Sequence, residues 1–260
     1  MKNTFFFLVF LFVSTVCLAQ FNYTHVVIAE NGLLIRSQSN DSAKVIGKYE
    51  FGTQIQVVEQ TNTTQSIIDE EKMIIGNWVK VKINNYYYEA APQHTTGFVF
   101  NGFLEKTEVF VKKLNDKIRK YKELDEYEID IDNTIFCLKA IFFDDNTVNL
   151  AILIKKIKKD KNGMINKNIV FLENQYKSNT TRIRFQSEED GLNWVGVFMK
   201  VKAGTVLWSN YEDNWRDFKD VPENEKVILE HDAILLHAEE SCGGGFVFWK
   251  DGKFNWLQQE

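Results

Sequence analysis

Apolar and polar residues alternate with a period of two along most of this chain, the spacing of half-buried β-strands, and only one stretch switches to a helical period. Leu33 and Ile35 share one parity, as do Ile55 and Val57, and as do Val79, Val81 and Ile83. These seven side chains are the predicted core of the N-terminal half. Gly32, Gly47, Gly52 and Gly97 stand at the ends of those runs, where tight turns or close strand approach favour a residue without a side chain. Short strands with frequent turn residues predict a small barrel or sandwich. Two intervals, 61–76 and 84–95, exceed the few residues that usually join hairpin strands and read as long loops. The first holds Ile67-Ile68-Asp69-Glu70-Glu71-Lys72, which suits a short helical turn; the second holds Tyr86-Tyr87-Tyr88.

The helical stretch is 107–124, where Val111, Leu114, Ile118 and Tyr121 recur at steps of three and four. Its polar face mixes Asp116 and Glu123 with lysines, so packing against a neighbouring sheet is favoured over lying on a membrane. Beyond it, strands are predicted at 128–131, 135–143, 148–157, 168–172, 182–185, 195–207 and 233–238, giving an all-β or α+β domain. Near the end, Asp251-Gly252 fits a type I′ turn that would pair Trp249 with Phe254 and Val247 with Trp256 on one aromatic face.

Four fragments keep a characteristic order: Gly32-Leu33-Leu34-Ile35-Arg36, Val45-Ile46-Gly47 with Gly52, Trp78-Val79-Lys80-Val81, and Gly97-Phe98-Val99. Together they resemble the bacterial SH3 family, whose modules read GLNVR, VIG-x-x-x-x-G, W-x-x-V and GWV. The likeness covers under a third of the chain, and it departs from the pattern at Leu34, where Asn is usual, at Gln38-Ser39 and at Phe98. The expected fold is mainly β, an SH3-like barrel over 21–105, a connecting helix over 106–124 and a β-rich domain of unrecognised family over 125–260. The resemblance implies a non-catalytic binding module, with a cell-wall peptide, a glycan or an envelope protein as its partner.

Lys2 precedes an apolar run over 5–13, then Ser14, Thr15 and a small-residue exit at Cys17-Leu18-Ala19. This reads as a cleavable export signal over 1–19, since a membrane span needs about 20 apolar residues. Cys17 as a lipid acceptor is disfavoured by Val16 just before it. The expected location is therefore periplasmic or extracellular, with no stable membrane span after cleavage. Thirty-one Lys plus Arg against 36 Asp plus Glu give a net charge of −5. Nucleic acid is excluded as a partner on that balance, and the basic runs at 112–113 and 155–161 read as solvated faces. Export leaves Cys137 and Cys242, which an oxidising compartment could join, although Cys137 in an apolar run also reads as a small buried hydrophobe.

The candidate ligand-binding residues are Trp78, Tyr86, Tyr87, Tyr88 and Phe98. Trp78 shares the parity of Lys80 and Lys82, opposite the core set, and is expected to be partly exposed. There it could floor a groove, cover the barrel or pack on the second domain. The tyrosines suit recognition or simply cover the barrel. His231, His237 and Cys242 group the nucleophile and base types of a Cys-dependent hydrolase, but Cys242 leads into Gly243-Gly244-Gly245 rather than a helix, and catalysis is not expected. Six residues of extended chain hold the two histidines about 20 Å apart, too far to share an ion, so neither metal nor cofactor is expected. The third class of reading is an assembly subunit whose two domains are architectural.

Overall fold

The computed structural model describes residues 22–69, 71–83, 94–144, 147–173, 191–210, 217–239 and 243–259, together with the backbone of 183–186. The N-terminal half carries β1 (His25–Val27), β2 (Leu33–Arg36), β3 (Val45–Tyr49), β4 (Gln54–Asp69), β5 (Lys72–Lys82), β6 (Thr96–Phe100) and β7 (Leu104–Lys106). They form one antiparallel sheet in the order β3-β2-β6-β5-β4-β1-β7, which curls into a half-barrel. The parity of the sequence fills it: Leu33, Ile35, Ile55, Val79, Val81 and Ile83 are all buried, with Val27, Tyr49 and Val99 among them and Val57 packed at the margin.

The interval 61–76 is strand, not loop. The predicted helical turn at 67–72 is instead the tip of a long β4–β5 arm, in which Ile67 pairs with Ile74 and Asp69 with Lys72, and Glu71 turns the chain with a φ of 67°. Between the pairs Gln60 with Val79 and Thr64 with Asn77, three residues of β4 oppose Trp78 alone. Such a bulge bends a strand. The arm folds back over the outer face of β6, where a Cβ on Gly76 would lie 2.6 Å from the Asn101 side-chain oxygen and 2.9 Å from the Phe100 ring.

One α-helix stands among the described residues, α1 (Thr107–Ile118), followed by a 3-10 turn at Lys122–Leu124. It is shorter than the predicted 107–124 because the chain leaves helical geometry after Arg119, and Tyr121 is already extended. The C-terminal half continues with β8 (Tyr127–Ile129), β9 (Cys137–Ala140), β10 (Asn149–Lys156), β11 (Lys167–Glu173), β12 (Ile183–Gln186), β13 (Val197–Val201), β14 (Val206–Leu207), β15 (Val227–Ile228), β16 (Ala233–His237), β17 (Gly244–Lys250) and β18 (Lys253–Gln259). The predicted strand 195–207 is two strands, broken where Gly204 takes a φ of 83°. The terminal hairpin has the expected register, Trp249 with Phe254 and Val247 with Trp256. Asp251 and Gly252 both have positive φ, 53° and 73°, as a type I′ turn requires.

Two sheets, β12-β11-β10-β8 with β9 beside β10, and β13-β16-β17-β18, share one core with α1. Phe143 meets Trp249 edge-on at 5.1 Å, and Phe171 meets Phe254 at 4.9 Å. This core crosses into the N-terminal sheet. On β1, Val26 belongs to the C-terminal core and Val27 to the half-barrel, so three residues face two interiors. The buried Gln54 side chain donates to the carbonyls of Ile131 and Asn133 at 2.9 and 2.8 Å, and its backbone N–H donates to Thr134.

Lys155 is a further correction, since it belongs to no solvated run. Its ammonium and that of Lys167 straddle Asp130, which is fully buried, and Asp132 beside it, with nitrogen–oxygen distances of 2.9–3.5 Å.

Candidate functional site

A concavity among the described residues lies between the outer face of β2 and the arm. Its volume is about 240 Å³, and its walls come from the 29–34 segment, Arg36, Asp41, Ile67, Asp69, Trp78, Phe100 and Phe103. Each wall has a local cause. Gly32 turns the chain into β2 with a φ of 78°, its N–H donating to Ala29. The alternation of β2 then buries Leu33 and Ile35 and points Leu34 and Arg36 outward. The bulge bends β4 and β5 over that face, bringing Ile67 and Asp69 to it from the other side.

Trp78 is the hinge of the arrangement, and its exposure is corrected: 2 %, not partial. Its parity is as predicted, but the arm covers the face it points to. The indole N–H donates to Gln65 Oε1 at 2.7 Å, and Gln65 Nε2 donates to Asp41 Oδ2 at 2.6 Å, so a side-chain relay ties the arm to the loop after β2. Phe100 packs edge-on against both Trp78 and Phe103, with ring centroids 6.2 and 5.9 Å away. Leu34, 40 % exposed, stands at the mouth.

Charge is unevenly placed around this apolar floor. Glu30 is paired with Lys139, and Arg36 donates one guanidinium nitrogen to the Ala43 carbonyl at 2.7 Å. Asp69 stands opposite Lys72 in the register of the arm and makes no ion pair among the described residues. Among the described residues the lining has carboxylates, one guanidinium and one amide, but no hydroxyl, thiol or imidazole. Such a surface can bind, orient and desolvate a ligand.

Of the other sequence candidates, Phe98 lies on β6 in register with Arg36 and Lys80, half-buried and beyond the cleft walls. Tyr86, Tyr87 and Tyr88 lie outside the described residues, as does Cys242. Among the described residues Cys137 is a free thiol with no exposure, and burial pushes its pKa up to about 12. His231 Nε2 is 2.9 Å from Asp144, whose other oxygen accepts the Trp249 indole N–H, while His237 Nδ1 bonds the Ala238 carbonyl. Among the described residues no group of three or more His, Cys, Asp or Glu side chains is arranged to hold a metal ion. No helix among them is long and apolar enough to cross a membrane.

Sequence reasoning missed Leu34, Arg36, Asp41, Ile67, Asp69, Phe100 and Phe103. The one signal available was Leu34 itself, an apolar residue at an outward parity where the resembled family carries Asn. Comparison of the chain with protein-family models, curated proteins and solved structures finds no match.

Proposed function

We propose that this chain is an exported, non-catalytic binding protein whose SH3-like half-barrel holds its ligand in the cleft beneath the β4–β5 arm. The ligand class is a cell-wall peptide, a glycan or a segment of an envelope protein. The observation that carries this reading is the cleft, with Leu34 exposed at its mouth, the enclosed Trp78 and Phe100 rings behind it, and a rim of charged groups. That combination is the usual build of a small-ligand site, an apolar lining with a few polar groups that fix orientation. The export signal and the order of the SH3-like fragments supply the cell-envelope setting.

The test is co-sedimentation of the purified protein with peptidoglycan, alongside affinity capture of envelope proteins. Leu34→Asp places a charge at the mouth of the cleft without touching the core, and should abolish retention while circular dichroism and melting stay as in the parent. Retention undiminished by Leu34→Asp would remove the cleft from consideration.

A second reading, the assembly subunit, is favoured by the outer face of the arm. There Ile68, Met73 and Ile75 are 79, 68 and 66 % exposed, and the register puts Ile68 beside Met73 on the face shared with Ile75. Large apolar side chains clustered on a protruding hairpin suit a protein partner. Met73→Lys should then abolish capture of a stoichiometric partner and leave wall retention intact.

A further inference from the structure

We infer that the cleft receives the cationic side chain of a basic peptide, a lysine or arginine whose backbone runs along the arm; the inference rests on the cleft being the ligand site. Size comes first. At about 240 Å³ the space falls below the roughly 300–1,000 Å³ of sites for drug-sized ligands, and suits one long side chain better than a chain of sugars.

Charge narrows the choice. The lining carries Glu30, Asp41 and Asp69 against Arg36. Glu30 is neutralised by Lys139, but Asp41 is met only by the neutral amide of Gln65, and Asp69, although Lys72 stands opposite it on the arm, makes no ion pair among the described residues. The two remaining carboxylates outnumber the one guanidinium, which is already engaged with the Ala43 carbonyl. A lysine or arginine matches both parts of the wall, its methylene stem lying on Leu34, in front of the enclosed Phe100 and Trp78 rings, while its head reaches Asp69 and Asp41.

The arm says why the cation belongs to a peptide. From Thr64 to Asp69 and from Lys72 to Gly76 the two strands pair only with each other among the described residues, since β1 covers β4 only at Gln54 and Ile55, β6 covers β5 only from Trp78 onward, and the Asn77 N–H is capped by the Asn101 side chain. An open strand edge beside a side-chain pocket is the geometry of strand addition, in which backbone hydrogen bonds hold the peptide and the pocket selects a side chain.

The experiment is nuclear magnetic resonance of the isotope-labelled protein, followed at the Trp78 indole N–H and the Leu34 amide. The probes are an acetylated, amidated alanine pentapeptide with a central lysine, its norleucine and glutamate counterparts, and a muramidase digest of peptidoglycan. The lysine peptide should shift both signals with an affinity about tenfold above that of the norleucine peptide, a difference near 1.4 kcal/mol. Added salt should weaken it, and Asp69→Asn, a change at an exposed site, should reduce it to the norleucine level. Norleucine or glutamate peptides binding as tightly would overturn the cationic specificity and leave the cleft a site. Wall fragments moving the two signals while the lysine peptide does not would do the same. Silence from every probe would instead remove the cleft reading itself.

Discussion

Trp78 is where a single residue decides the site. Its indole is enclosed and its one polar atom satisfied by Gln65, so Trp78→Phe should leave the Gln65 oxygen unpaired and cost about 1–3 kcal/mol in urea denaturation. The double variant with Gln65→Leu should cost less than the two single changes added together, because both partners of one bond are then gone. Strict additivity would mean that the bond contributes nothing. The residue also explains a limit of sequence reading. Parity placed Trp78 correctly opposite Val79 and Val81, but parity says which face a side chain takes, not whether distant chain covers that face.

Asp130 carries the second residue-scale prediction. Burial works against charge at Asp132, but hydrogen bonding to Asp130 and the nearby Lys167 and Lys155 ammoniums outweigh it and hold the Asp132 carboxyl below its usual range. Burial likewise opposes the charged Lys167, and the bonds and charges of Asp130 and Asp132 outweigh it and raise that pKa. A depressed carboxyl contributes stability that is present above its unfolded pKa and lost as pH falls through the folded one. A raised ammonium contributes stability present below its unfolded pKa and lost as pH rises through the folded one. Asp132 and Lys167 therefore stabilise the fold between acid and strong alkali, and Asp130→Asn should cost about 3 kcal/mol at neutral pH, because two partly buried lysines lose a fully buried partner. Melting measured from pH 3 to 10 should show the parent and variant converging at the acid end. A constant gap across that range would show that the loss is one of packing rather than charge. In sequence Lys155 reads as part of a solvated run over 155–161, since it meets Asp130 only through strand pairing far along the chain.

At the scale of elements, the arm is held by close approach rather than by area. A Cβ on Gly76 would collide with Asn101, Gly102 and Phe100, and one on Gly102 would lie 2.7 Å from Ile74. Gly76→Val should therefore lift the arm, at about 1–3 kcal/mol. Trypsin cleavage after Lys72 should quicken severalfold as the local opening becomes easier, and ligand retention should fall. Cleavage at the parent rate would mean that the arm does not need this contact. The arm also marks how far elements were legible. The terminal hairpin was readable to the register because Asp-Gly and alternating aromatics specify it locally. The arm was not, because Ile67-Ile68-Asp69-Glu70-Glu71-Lys72 carries no turn dipeptide and fits a helical turn equally well; only its pairing with 72–77 makes it a strand.

At the scale of the molecule, the two halves are joined by direct contacts. Beyond the shared strand β1 and the bonds of Gln54, Thr53 bridges Ile135, and Phe51 packs edge-on against Phe110 of the helix at 6.0 Å. The tightest point is Gly52, whose φ is 81° and where a Cβ would lie 1.7 Å from the Cys137 carbonyl oxygen. No side chain fits there without moving the C-terminal sheet, and the left-handed backbone itself costs a side-chain-bearing residue about 1–2 kcal/mol. Gly52→Ala should cost about 3 kcal/mol or more, lowering the melting temperature by roughly 6–12 °C for a chain of this size. Because Gly52 borders the half-barrel and Cys137 the other core, calorimetry should show one transition, shifted whole. Two transitions, with only the N-terminal one displaced, would separate the halves and make the bonds between them incidental to stability.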